Sequence, residues 1–155
     1  MSTQGKNYTI LASTSFVRLF SNLSDKPPVK HPQEIPDRMK LANFIQTYLE
    51  YGWDPNFLKG KNISSDNVPT QDPQWYQKVR YAQEHDLHHY HIGIPYYVDS
   101  GKGYLTSEYV LHYKKISDTE IKLVDMDYHP PLELPKQEYM SGNVDLSPTN
   151  DDEES

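Results

Sequence analysis

No cysteine occurs anywhere in the chain. Disulfides and thiolate metal sites are thereby excluded, so a domain of this size must be held by burial, hydrogen bonding or a partner. There is no run of about 18 apolar residues, the length that would suggest a membrane span. Residues 1–8 carry no basic segment leading into an apolar one, so a secretory signal is not expected either. The expectation is a soluble, cytoplasmic protein with no membrane partner. Arginine is scarce, limited to Arg18, Arg38 and Arg80.

Positive charge is also short overall, the formal net charge being −7. Binding to nucleic acid needs a local positive field, and the average argues against it. The average is misleading, because Asp145, Asp151, Asp152, Glu153 and Glu154 crowd the C-terminal end with no base among them. Taking those five from the 22 acidic residues leaves 17 against 15 basic ones, a nearly neutral body. Nucleic acid is permitted as a partner, though charge alone does not point to it.

What is present is a single domain's worth of chain, 155 residues, with no internal repeat. Residues 8–12 and 15–20 are apolar stretches suited to a first strand followed by a helical turn. Residues 21–32 hold Pro27, Pro28 and Pro32 and should be a loop. Over residues 36–51, Met39, Ala42, Ile45 and Leu49 recur at spacings of three and four, with Leu41 and Tyr48 widening the stripe. That pattern predicts an amphipathic helix, with Pro36 and Asp37 suiting its start and Gly52 its stop. A long polar loop follows over 60–73. Segments 75–81, 87–97, 104–116 and 120–129 are dense in Tyr, Val and Ile and separated by short turn signals, so they are expected to be antiparallel strands. The expected fold is α+β: an antiparallel sheet of three to five strands with a long N-terminal helix packed on one face. Residues 1–140 make one domain, and 141–155 are expected to be a disordered acidic tail.

The densest chemical feature is EHDLHHYHIGIPYY, residues 84–97, which holds four of the seven histidines and three tyrosines. In a strand, alternation puts His89 and His91 on one face with Leu87, and His88 and Tyr90 on the other. The next strand offers His112, Tyr113, Lys114 and Lys115, and the last ends in Asp125, Asp127, Tyr128 and His129. Side chains on neighbouring strands lie close enough to converge. Metal-free RNA cleavage needs a base for the ribose 2′-hydroxyl, an acid for the departing 5′-oxygen and a cation for the phosphorane-like transition state. Histidine can serve as base or acid, lysine or arginine as cation, and tyrosine as a hydrogen-bond donor or stacking surface.

Residues 42–57 (ANFIQTYLEYGWDPNF), then LHHYHIG at 87–93, then TSEYVLHYKKISDTEIKLVDMDYHPP at 106–131, resemble the YafO toxins. The likeness covers roughly residues 40–132 and consists of a helix ending in a glycine and proline turn, a His-x-His strand and two strands joined by a short polar turn. It implies a RelE-like fold and a type II toxin that cleaves mRNA on the ribosome through 2′-hydroxyl attack. It also implies no metal or other cofactor, and neutralisation by a cognate antitoxin. His89 and His91 match the family's His-x-His strand. The catalytic candidates are His89, His91, His112 and Tyr113, and the RNA- or phosphate-binding candidates are Arg80, Lys114, Lys115, Tyr128 and His129. The chain departs from the family at its end, where Lys136 and Tyr139 lead into acids and not into a basic segment.

Plainer readings stand beside each of these. The histidine pair can be structural, or two ligands of a metal hydrolase completed by His112 or His129. A non-catalytic interaction protein on the same scaffold fits as well. At most one of Lys114 and Lys115 can face a site, and Arg80 can simply pair with Glu84. The Ser100–Gly103 turn can be a hairpin loop instead of a phosphate cradle. The acidic tail can be a solvated end or a cover for the protein's own basic surface. Trp53, Trp75 and Phe57 are expected in the core.

Overall fold

The computed structural model describes residues 7–128 and 133–147. The chain forms an α+β fold in which a mixed six-stranded sheet carries helices on both faces. In chain order the main elements are β1 (Thr9–Ala12), α1 (Thr14–Asn22), α2 (Asp37–Tyr51), β2 (Asn62–Ser64), α3 (Trp75–Glu84) and β3 (Leu87–His91). They continue with β4 (Val98–Asp99), β5 (Leu105–Thr106), β6 (Tyr109–Lys115), β7 (Glu120–Tyr128), a 3-10 turn (Gln137–Met140) and β8 (Val144–Asp145). The sheet order is β2-β3-β6-β7-β1-β8, with β4 and β5 forming a separate hairpin.

An all-antiparallel sheet of three to five strands is therefore not what forms. β1 runs parallel to β7, with Thr9 opposite Glu120 and Ala12 opposite Leu123. Short turns dictate antiparallel pairing only for strands they join, such as β6 and β7. β1 reaches β7 after more than a hundred residues that include all three helices, so no turn constrains its direction.

The helix expected over 36–51 forms as α2, but it is internal: β1 and the nine-residue α1 precede it, so there is no long N-terminal helix. Ser13 starts α1, its Oγ accepting from the Phe16 N–H at 3.1 Å. α2 ends at Gly52, which has φ of 65° and donates its N–H to the Tyr48 carbonyl at 2.8 Å. The buried stripe of α2 is Leu41, Phe44 and Tyr48, whereas Met39 is 49% exposed. The stripe is rotated from the aliphatic one read from spacing, because the two rings pack into an aromatic layer. Phe44 lies 5.3 Å from Tyr90, and Trp53 lies 5.4 Å from Tyr48 and 5.1 Å from Tyr113.

Residues 75–84, expected to begin as a strand, are the helix α3. The cause lies just upstream, where the Asp72 carboxylate accepts from the Gln74 N–H at 2.8 Å and pairs with Lys78 at 2.7 Å, fixing a helical start. Burial of Ala82 against Leu87, Val124 and Met140 then holds it to the sheet. The strand preference of Trp, Tyr and Val is contextual and yields to this packing.

The main core lies between α1, α2 and one face of the sheet, built on Ile10, Leu111, Ile121 and Leu123 from the strands. Residues 141–147 are part of this fold and not an unstructured tail. β8 pairs with β1, Leu146 donates its N–H to the Ile10 carbonyl at 2.8 Å, and Thr14 donates to the Ser141 carbonyl at 2.9 Å. β1 would otherwise present a bare edge, and a few backbone bonds to an adjacent segment cover it. The acids from Asp151 onward lie outside the described residues.

Candidate functional site

The α3 side of the sheet gathers the histidines. Register sets His89 opposite His112, His91 opposite Val110 and Leu87 opposite Lys114. A bulge in the β6–β7 pairing between His112 and Tyr113 places Asp125 opposite His112 and still sets Lys114 opposite Lys122. His89, His91, His112, Asp125, Lys114 and Lys122 consequently share one face. The His89 ring centroid is 6.1 Å from that of His91 and 6.1 Å from that of His112. The three residues are 4%, 6% and 0% exposed.

Two serines orient the rings. Ser65, fully buried, has its Oγ 2.9 Å from His89 Nδ1. His91 Nδ1 lies 3.0 Å from the Ser107 N–H and 2.9 Å from the Ser107 carbonyl. It can accept from the first when bare or donate to the second when protonated, so either state of the ring is satisfied at that nitrogen. Each serine thereby fixes the orientation of its imidazole on the sheet face. Burial, helped by the Asp127 carboxylate and opposed by the Met126 N–H, pushes the Asp125 carboxyl up to about 6. Burial, together with Lys114, holds the Lys122 ammonium below the ordinary lysine value.

The other expected residues are not brought here. Tyr113 follows His112 directly, so alternation turns it to the opposite face, where its hydroxyl donates to Asn62 Oδ1 at 2.7 Å. Burial drives that hydroxyl's pKa far upward. Lys115 also turns away and lies 3.6 Å from Asp118 at an exposed turn. Arg80 sits on the outer side of α3, 3.7 Å from Glu84, both largely exposed. Tyr128 is 46% exposed at the end of β7, its ring edge-on to Tyr109. His129 lies outside the described residues. Asp125 was visible in the sequence without an assigned partner, while Ser65, Ser107 and Lys122 carried no signal. Their roles depend on strands that meet only in the folded sheet.

Among the described residues, no group of three or more His, Asp or Glu has the arrangement to hold a metal ion. Among them, too, no helix is long and apolar enough to cross a membrane. Comparison with family models, with curated proteins and with solved structures gives no match.

Proposed function

We propose that the chain is an endoribonuclease that cuts mRNA on the ribosome without a metal, the toxin of a type II toxin–antitoxin pair whose partners are a cognate antitoxin, the ribosome and mRNA. One observation carries the reading: three imidazoles converge on a single sheet face beside a carboxyl of raised pKa and two lysines. In the reaction, one imidazole takes the proton of the ribose 2′-hydroxyl and the 2′-oxygen attacks phosphorus. The bond to the 5′-oxygen breaks, and a second, protonated imidazole gives that oxygen its proton. The products are a 2′,3′-cyclic phosphate and a free 5′-hydroxyl.

His91 suits the group that changes protonation, because Ser107 satisfies its Nδ1 either way. His112, opposite Asp125 in the sheet register, is the second imidazole of the pair. Lys114, only partly buried on the same face, supplies a cation for the phosphate.

The test is expression of the chain alongside a His91→Ala/His112→Ala variant, with sequencing of cut mRNA ends and far-UV circular dichroism of both purified proteins. The intact chain should arrest growth and leave 5′-hydroxyl ends, and the folded variant should do neither. High-level expression with normal growth and intact mRNA would exclude a toxin. The near-complete burial of the three rings favours a second reading, a non-catalytic interaction protein. In that case the double variant keeps its partner affinity as long as it folds.

A further inference from the structure

On the α2 side of the sheet a cavity of about 600 Å³ opens between α2, the segment after it and the chain following β3. Its inner wall is Phe44, Tyr90 and Ile92, all buried. Its rim carries three exposed rings: Phe57 at 48%, Tyr96 at 38% and Tyr97 at 38%. Lys40 is locked into the wall, its Nζ donating to Glu34 Oε1 at 2.6 Å and to the Gly93 and Pro95 carbonyls at 2.7 Å each. That ammonium neutralises the lining's single carboxylate, so the exposed Lys59 leaves the mouth net positive.

Two smaller hollows, of about 380 and 430 Å³, adjoin the cavity through Leu58. They bring in Tyr104 and Lys61, whose Nζ lies 4.9 Å over the Tyr104 ring. None of the four ion pairs among the described residues takes up Lys59 or Lys61. Exposed rings at the cavity rim, with Lys59 and the Tyr104-stacked Lys61 nearby and neither in one of those ion pairs, offer a single strand of nucleic acid surfaces for its bases and cations for its phosphates. The cavity lies on the sheet face opposite the histidines, and the two are linked at the end of β3 through one serine. Gly93, in its lining, donates its N–H to Ser107 Oγ at 3.0 Å, and the Ser107 peptide holds His91 Nδ1.

We propose that this cavity and its two adjoining hollows bind single-stranded RNA, one unpaired base entering the cavity while the neighbouring nucleotides follow Lys59, Lys61 and Tyr104. The choice of RNA rests on the cleavage proposed above; the location rests on the cavity itself.

The probe is a short fluorescein-labelled 2′-O-methyl RNA, which cannot be cleaved by 2′-hydroxyl attack, titrated against the full chain by fluorescence anisotropy at several salt concentrations. Binding should weaken with salt. Asn43→Trp, which fills the cavity from the exposed side of α2, and Lys59→Glu/Lys61→Glu should each weaken it roughly tenfold or more. His91→Ala/His112→Ala is titrated alongside them to read whether the RNA is held at the histidines instead. Undiminished binding by both the Asn43 and lysine variants, or no binding by the intact chain, overturns the proposal. So does loss of binding only in the histidine variant, because the RNA would then sit at the histidines alone. If the chain binds through the cavity but cuts no RNA, the cleavage reading fails and the binding site stands.

Discussion

Replacing Asp125 with Asn separates burial from ionisation at the candidate site. The Asp125 carboxyl is raised from 3.8 to about 6, chiefly by burial. A group whose folded-state pKa is raised stabilises the fold below its unfolded value, and that contribution is lost as the pH climbs through the folded one. The window is therefore pH 4 to 6, with the full cost of a buried carboxylate present above it. Two units at about 1.4 kcal/mol each give an upper limit of roughly 3 kcal/mol, and partial solvation of the carboxyl reduces this to about 1–2 kcal/mol. Asp125→Asn keeps the shape and cannot ionise, so it should match the intact chain near pH 4 and exceed it by about 1–2 kcal/mol at pH 8. Urea unfolding followed by tryptophan fluorescence across that range reads the difference, and the other titrating groups cancel in the comparison. If the ionised carboxylate helps to orient His112 for the reaction, the same variant should lose RNA cleavage while gaining stability. Parallel stability curves from pH 4 to 8 would show that Asp125 is not buried against the cluster as described.

Tyr113→Phe should cost about 1 kcal/mol for the lost bond to Asn62 and leave RNA cleavage unchanged, since the hydroxyl lies on the opposite face; a large fall in cleavage would contradict that placement. Phe44→Ala should cost about 3–5 kcal/mol in chemical unfolding, whereas Met39→Ala should stay within about 0.5 kcal/mol, a contrast that reports which stripe of α2 is inside. Gly60→Ala should lower the melting temperature sharply, because a Cβ there would drive into the His91 carbonyl oxygen, which is backbone and cannot swing aside.

The α2 boundaries were legible because they are local: Pro36 and Asp37 at one end and Gly52 at the other act within a turn of the helix they bound. The separation of His89 and His91 from His88 and Tyr90 was legible for the same kind of reason, since strand alternation needs only the chain's own geometry. The phase of the α2 stripe was not, because apolar spacing marks several overlapping faces and only the aromatic layer of Tyr90, Trp53 and Tyr113 selects one. α3 was missed because its aromatic residues favour strands on average, while the Asp72 turn and the Leu87 contact that override them lie outside the helix.

Composition and local pattern thus determined a cysteine-free α+β chain, the existence and bounds of the helix over 36–51 but not its internal place in the fold, a β6–β7 hairpin and a histidine strand with its faces sorted. Only tertiary structure decided that β1 joins parallel to β7, that residues 141–147 cover its edge, and that a bulge sets Asp125 opposite His112 while Tyr113 turns away. The division has a physical cause. Caps, turns and alternation act over a few residues and leave a mark in sequence, whereas register and strand order are selected by burial between segments that only folding brings together.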